Sequence, residues 1–293
     1  MQILSLGEHR LKIGEGPVWD VEDQSLLAVD IVGQQVVAFD GTGYCVFQLA
    51  IPEPVVAATR DTNSNLLVTL SDGVHHFDEE RQQAIRVATF PVKPGAHLND
   101  GKVDRQGRIV AVGSDKCMAE PLGDLFRLER DGSVTHLADG YILGNGPCWS
   151  ADGSGFYVAD SIVKQIYAYD YPESGPLIGR RLFADTSELG GIPDGATIDR
   201  DGRLWVALCG AGKIICFDPS GKVEDCIEMP TAWVSSVMFG GPALDRLYVT
   251  TLDPSVLGGE GDEHCGRLFM IEDLGVTGLP EMRASGDIIN RFL

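Results

Sequence analysis

Long apolar runs and basic charge are both scarce in this sequence. No run approaches the 18 apolar residues of a membrane-spanning helix, so no transmembrane span is expected. The opening residues, MQILSLGEHRLKIG, lack the basic start and long apolar core of a signal peptide, which predicts a cytoplasmic protein. Lys and Arg number 23 against 43 Asp and Glu, a formal net charge of −20. This negative charge argues against nucleic acid and acidic membrane surfaces as partners.

Cysteine offers no disulfide framework. The seven cysteines are an odd number and include no Cys-x-x-Cys, which is typical of a protein from a reducing compartment. Cys209 and Cys216 are expected to be buried as small apolar side chains. The sequence also lacks a Gly-x-Ser-x-Gly elbow and a Cys-His nucleophile pattern, so covalent catalysis is not expected.

A repeat organises the chain. Each unit has an apolar run, a turn and a second apolar run, and the residues that open the six turns are Asp20, Asp61, Asp104, Ser150, Asp199 and Gly240. Their spacing of 41 to 49 residues fits one four-stranded blade per unit. The sequence therefore predicts an all-β, six-bladed β-propeller, with residues 1–293 as a single domain. The apolar run at residues 3–6 should close the ring by pairing with the last blade, because an open propeller would expose a sheet edge.

Oxygen-bearing side chains recur five residues before most of these turns. The six equivalent positions are Glu15, Val56, Asn99, Asn145, Asp194 and Ser235. The pseudo-symmetry of a propeller places them in a ring at one mouth of the central channel. Carboxylates that converge there repel one another unless a cation lies between them, and carboxylate and amide oxygens suit such a cation. The spacing therefore predicts a metal site.

Each motif in this ring is weak when taken alone. Gly14-Glu15-Gly16 is an ordinary turn sequence, and an isolated Asn-Gly such as Asn145-Gly146 is usually a turn as well. His97 and Asn99 lie two residues apart in a predicted strand, so their side chains share a face. The constant five-residue offset is what favours a common site.

Five short motifs occur in order along nearly the whole chain. They are Glu15-Gly-Pro-Val-Trp19, Asn99-Asp-Gly-Lys-Val-Asp104, Asn145-Gly-Pro147, Pro193-Asp-Gly195 and Phe239-Gly-Gly241. In order and spacing they resemble the regucalcin and gluconolactonase family of sugar lactonases. The resemblance implies that Glu15, Asn145 and Asp194 are the protein ligands of one divalent cation. It also implies that Asn99 binds substrate and that Asp194 acts as acid or base toward the attacking water.

The sequence departs from the family pattern beside Asn99. His97 stands where many members have Arg, and Val112-Gly-Ser114 replaces the usual Gly-Thr-Met. A neutral His donates and accepts hydrogen bonds, whereas Arg only donates. His97 and Asn99 are expected to hold sugar hydroxyls, and the substrate can differ from gluconolactone.

The expected activity is metal-dependent hydrolysis of a sugar (aldono-) lactone to the aldonic acid. Three oxygen ligands leave positions open for water and for a lactone oxygen, as in catalytic sites, where the metal polarises the carbonyl. Oxygen ligands fit calcium, magnesium or manganese, and zinc or iron(II) also accept them. The alternative is a non-catalytic, calcium-binding regulatory propeller, a role attributed to some family members. A protein-binding scaffold would not need the ring. A monomer is the default for a closed propeller.

Two loops on the predicted ring face are long. They span residues 113–123 and 252–266, and they are either lids that select substrate or solvated segments. The second loop contains His264 beside Glu260, Asp262 and Glu263, which form either a second cation site or a solvated acidic loop.

Overall fold

Each repeat of the sequence folds into one antiparallel sheet of four strands, and six sheets form a ring. The structure is a computed structural model that describes residues 1–289; residues 290–293 of the predicted domain lie outside that range. The all-β, six-bladed propeller predicted from the repeat is confirmed.

The first three blades follow the chain in order. Blade 1 contains β2 (Gly14–Asp20), β3 (Ser25–Asp30), β4 (Gln35–Asp40) and β5 (Cys45–Ala50). Blade 2 contains β6 (Ala57–Arg60), β7 (Leu66–Leu70), β8 (Gly73–Asp78) and β9 (Gln83–Thr89). Blade 3 contains β10 (Ala96–Val103), β11 (Ile109–Asp115), β12 (Gly123–Leu128) and β13 (Val134–Tyr141).

The last three blades complete the ring. Blade 4 contains β14 (Gly144–Trp149), β15 (Gly155–Asp160), β16 (Gln165–Asp170) and β17 (Ile178–Asp185). Blade 5 contains β18 (Ile192–Ile198), β19 (Leu204–Cys209), β20 (Lys213–Phe217) and β21 (Val223–Glu228). Blade 6 contains β22 (Val234–Gly240), β23 (Arg246–Thr251), β24 (Leu268–Glu272) and, from the other end of the chain, β1 (Gln2–Leu6). Three short 3₁₀ turns lie at Ser187–Leu189, Pro254–Leu257 and Gly286–Ile288.

The N-terminal strand closes the ring as predicted. β1 pairs antiparallel with β24, from Gln2 opposite Glu272 to Leu6 opposite Leu268. At the seam between blades 6 and 1, Trp19 stacks on Tyr248 with 5.4 Å between ring centroids and 9° between ring planes. Such an aromatic pair adds about 0.5–1.5 kcal/mol beyond the apolar area it buries.

The aspartates that open the turns explain the repeat signature. The Asp104 carboxylate accepts the backbone N–H groups of Gln106 and Arg108 at 2.8 and 2.9 Å, and the Arg108 Nε–H at 2.6 Å. Asp199 receives the same three bonds from Asp201 and Arg203. At these two turns the first carboxylate thus replaces the partners that the backbone N–H groups lose where the strand ends.

A C-terminal strap, residues 275–289, crosses the end of the channel that these turns surround. The strap contacts the first turns of five blades. Its backbone makes four of these contacts: Thr277 O accepts from Arg200 N, Gly278 N donates to Leu244 O, Ala284 O accepts from Thr62 N, and Ser285 N donates to Gly107 O. The fifth contact is the ion pair of the Arg283 side chain with Asp20. This segment was not predicted from the sequence, because its residues have no strand periodicity. The strap joins blades that the repeat alone leaves connected only to their neighbours.

Arg283 is the charged anchor of the strap. Its guanidinium lies 2.8, 2.9 and 3.0 Å from the carboxylates of Asp20, Glu22 and Asp23, with 9% of the side chain exposed. Replacing Arg283 with Met should lower the free energy of unfolding by about 2 kcal/mol, since the half-buried Asp20 loses its counter-charge. Arg81→Met is the matched control, because Arg81 is 73% exposed and pairs only with Asp78. Urea unfolding checks both; equal losses would contradict an anchoring role.

Gly146 allows the innermost strands of blades 4 and 5 to approach closely. Its φ is +60°, and a Cβ there would lie 2.6 Å from the Asp194 carbonyl oxygen. Gly146→Ala should therefore destabilise the protein more than Gly175→Ala, where φ is +79° and no atom lies within 4 Å. The control carries only the left-handed backbone cost of about 1–2 kcal/mol. Urea unfolding of the two variants measures the difference, and equal midpoints would refute the crowding.

Candidate functional site

The predicted ring residues lie at one end of the channel, at the start of the innermost strands. Glu15 is on β2, Asn99 on β10, Asn145 on β14, Asp194 on β18 and Ser235 on β22, while Val56 immediately precedes β6. The innermost strands contact one another in sequence around the channel, and β22 contacts β2. The structure therefore brings together residues that are up to 220 positions apart in the chain.

β-Bulges direct these side chains into the channel. The pairing register shifts at Glu15, Asn99, Asn145, Asp194 and Ser235 on five innermost strands. The pairing of β6 with β7 has no such shift, and its ring position is the apolar Val56. A bulge leaves a residue unpaired and turns its side chain away from the regular alternation, which is a common device beside functional sites. Gly-Pro follows Glu15 and Asn145, and Asp-Gly follows Asn99, but Ser235 is followed by neither pair.

Two carboxylates of the ring have few donors around them. Asp194 is 7% exposed, and among residues 1–289 no donor hydrogen-bonds to its carboxylate. Glu15 is half-buried, and within the same residues its carboxylate accepts only the N–H of Gly16, at 3.0 Å. Burial raises the pKa of both carboxyls well above the usual range, and neighbouring carboxylates raise it further. Each group is therefore costly to ionise in this site unless a positive charge is near.

A third carboxylate, Asp100, lies close enough to Glu15 and Asp194 to affect both, and it was not among the predicted site residues. Its two oxygens accept the N–H groups of Gly101 at 2.6 Å and Gly146 at 2.8 Å. Burial raises its pKa, and its charge acts on both Glu15 and Asp194. The five-residue offset selects one residue per repeat, and neighbours in a regular strand point to opposite faces. The bulge at Asn99 breaks that rule, and Asn-Asp-Gly was the available signal.

Hydrogen bonds fix the orientation of the Asn145 amide. Ser161 Oγ donates to the Pro193 carbonyl at 2.6 Å, so it must accept from Asn145 Nδ2, which lies 2.9 Å away. Asn145 Oδ1 consequently faces the ring, where Asn99 Nδ2 donates to it at 2.8 Å. The buried Ser161 thereby connects blade 4 to the peptide that precedes Asp194.

A second buried serine makes the equivalent connection at the closing seam. Ser235 Oγ donates to the carbonyl of Gly14 at 2.5 Å, next to Glu15, and also contacts Thr250 Oγ1 at 3.0 Å. Asn99 Nδ2 similarly reaches the Gly144 carbonyl at 3.1 Å. The bonds from Ser235 to Gly14 and from Asn99 to Gly144 join adjacent blades beside a ring residue, so the ring is held across the blades as well as along each strand.

His97 lies on β10, two residues before Asn99. Its Nε2 is 3.3 Å from the buried Ser114 Oγ, and its buried Nδ1 has no partner among the described residues. Burial lowers the pKa of His97 below 6.5, and the Lys116 ammonium lowers it further. The imidazole is therefore neutral at pH 7 and retains both donor and acceptor capacity.

Both long loops on this face are anchored. In the loop after β11, Asp115 accepts the N–H groups of Ala119 and Glu120 at 2.9 and 3.0 Å. In the loop after β23, Arg10 donates to the carbonyls of Cys265 and Glu263 at 2.7 and 2.8 Å. These contacts tie each loop to the scaffold at its base.

One group of possible metal ligands lies outside the ring. Within residues 1–289, Asp124, His136 and Asp139 place their ligand atoms within 4.8 Å of one another, on the outer strands of blade 3. Lys93 already lies 2.8 Å from Asp124, which neutralises that carboxylate. The acidic residues beside His264 form no such group in the described part of the chain and are exposed, as in a solvated loop.

Cys209 and Cys216 are both buried, as predicted, and all seven cysteines are free. In residues 1–289 no helix is long and apolar enough to cross a membrane.

Comparison with known proteins accords with this architecture. Residues 13–253 match the family model described as the SMP-30/Gluconolactonase/LRE-like region. Pentonolactonase XacC of Haloferax volcanii is 32% identical over 97% of this chain and 98% of its own, and regucalcin of Danio rerio is 32% identical over 95% and 97%. The solved structure of a luciferin-regenerating enzyme superposes with a TM-score of 0.87 at 26% identity, covering 97% of this chain and 99% of its own. The chain therefore belongs to the SMP-30/gluconolactonase/LRE-like family.

Proposed function

We propose that the protein hydrolyses a sugar lactone to the free aldonic acid at the ring end of its channel. The observation that carries this proposal is the Asp194 carboxylate, which is buried among like charges and receives no hydrogen bond from residues 1–289. Such a group is held ready for a ligand or for a proton. The relative named pentonolactonase, which matches nearly end to end, supports lactonase activity.

The ring residues fit a divalent cation. Glu15, Asn145 and Asp194 offer oxygen atoms only, and the Asn145 amide is turned so that its oxygen faces the ring. A cation would also relieve the repulsion among the buried carboxylates. When bound, it would polarise the lactone carbonyl. Oxygen donors favour calcium, magnesium or manganese, and zinc or iron(II) are also acceptable.

Asp194 manages the proton of the attacking water. Its free carboxylate oxygen accepts that proton as the water oxygen bonds to the lactone carbonyl carbon. The same proton passes to the ring oxygen when the carbon–oxygen bond of the lactone breaks, so Asp194 ends as it began. Burial raises the pKa of Asp194 in the cation-free site, and a bound cation would lower it.

Asn99 and His97 position the sugar. Both N–H groups of Asn99 are engaged, with Asn145 and with the Gly144 carbonyl, so the side chain presents only its oxygen to a ligand. That oxygen accepts a hydrogen bond from a sugar hydroxyl. The neutral His97 accepts or donates a second one. A hydroxylated lactone therefore suits this face better than an apolar ester.

Asp194→Asn should lower lactone hydrolysis at least a hundredfold, because the amide cannot accept the water proton. The measurement is acid release from pentono-, hexono- and deoxyhexono-lactones by metal-stripped protein supplied with single divalent cations. Asp139→Asn, an exposed carboxylate outside the ring, is the control and should retain full activity.

Wild-type turnover by folded Asp194→Asn would refute the assigned role. Cation binding by the wild-type protein, with no hydrolysis of any lactone, would instead favour the calcium-binding alternative. A relative named regucalcin matches the chain over a similar length, so this outcome has a specific precedent.

Ser161→Ala should weaken cation binding by roughly tenfold to a hundredfold, because the Asn145 amide then loses the partner that fixes its orientation. Calorimetric titration of the stripped protein with calcium measures the change. Ser161→Thr, which keeps the hydroxyl, should bind like wild type. Unchanged affinity in Ser161→Ala would show that Asn145 is oriented without it.

A further inference from the structure

Lys102 places a fixed positive charge in the channel below the ring. It lies on β10 two residues after Asp100, and its Nζ donates to the carbonyl of Ala196 at 2.9 Å. Ala196 is on β18, two residues after Asp194, so the side chain reaches from blade 3 to blade 5. Its ammonium attracts the carboxylates of Glu15 and Asp100. Nothing in the proposed hydrolysis uses this residue.

The charges that face the ring can be counted. Glu15, Asp100 and Asp194 contribute three negative charges when ionised, and Lys102 contributes one positive charge. The amides of Asn99 and Asn145 carry none. With all three carboxylates ionised, as a bound cation would favour, the net charge of these groups is −2.

The other titratable groups near the channel do not alter this count. His97 is neutral at pH 7, and burial together with the ring carboxylates raises the pKa of Cys209, which stays a thiol. At the far end, Arg105 and Glu281 form an ion pair at 3.4 Å and cancel one another. A divalent cation thus neutralises the ring, whereas a trivalent one leaves an excess positive charge.

We propose that Lys102 is a specificity-determining residue that matches the charge of the ring to a divalent cation. The inference rests on the proposed function only in requiring a cation at Glu15, Asn145 and Asp194. It does not require that the protein hydrolyse a lactone. Lys102 acts by charge at a distance and is not a ligand, since its Nζ is engaged with Ala196.

The proposal predicts that removing the Lys102 charge affects the binding of divalent and trivalent cations differently. The repulsion between the ammonium and a bound ion is proportional to the charge of the ion. Removing the ammonium should therefore strengthen binding of a trivalent ion more than binding of a divalent ion, with logarithmic gains in a ratio of three to two. A structural role of Lys102 would affect both ions alike, because calcium and terbium are similar in size.

The test compares calcium and terbium binding to metal-stripped wild type, Lys102→Met, Lys102→Gln and Lys102→Arg by calorimetry. Calcium affinity of the Met and Gln variants should rise roughly tenfold, and terbium affinity roughly thirtyfold. Lys102→Arg keeps the charge and should bind both ions like wild type. Lys102→Gln keeps a donor for Ala196, so it tests charge alone if the Met variant fails to fold. Binding that persists in Asp194→Asn is assigned to sites outside the ring and subtracted.

Several results would overturn the proposal. They are equal changes for the two ions in a folded neutral variant, a change in Lys102→Met without one in Lys102→Gln, and absence of ring binding in wild type. Failure of the lactonase proposal is a separate result: cation binding with the predicted valence signature and no turnover of any lactone.

Discussion

Repulsion among three carboxylates, two of them buried, is the constraint on which the rest of the site depends. Glu15, Asp100 and Asp194 come from three different blades, and each interacts electrostatically with at least one of the others. Strands on rigid sheets can hold such groups together, whereas flexible loops would let them separate. The bulges, the buried serines and the close approach at Gly146 all maintain this convergence. The scaffold supplies the rigidity that an unfavourable arrangement of charge requires.

The fold could be predicted from the sequence because each repeat contains its own apolar runs and its own turn. Asp104 and Asp199 open turns with the same hydrogen bonds, and the spacing of such turns fixes the blade number. The closing strand β1 was also predictable, since an unpaired sheet edge is a liability. The strap was not predictable, because its contacts are single backbone bonds and one arginine side chain that reach turns far away in the chain.

The candidate site could be predicted from the sequence only in part. Equivalent positions in the repeats located Glu15, Asn145 and Asp194, since pseudo-symmetry converts spacing into proximity. Asp100 escaped because a bulge, which has no reliable sequence code, reverses the expected facing of a residue. Ser161 escaped for another reason: its importance comes from a hydrogen bond to the neighbouring blade at Pro193, and sequence periodicity does not encode contacts between blades.

The strap also affects how a ligand reaches and leaves the ring. Glu281 and Met282 of the strap line a cavity together with Lys102, and the backbone of the strap bonds to turns of four blades, so the strap covers the end of the channel opposite the ring. Any molecule that binds at the ring is therefore expected to enter and leave through the mouth of the channel on the ring side. Release of one ligand must therefore precede binding of the next.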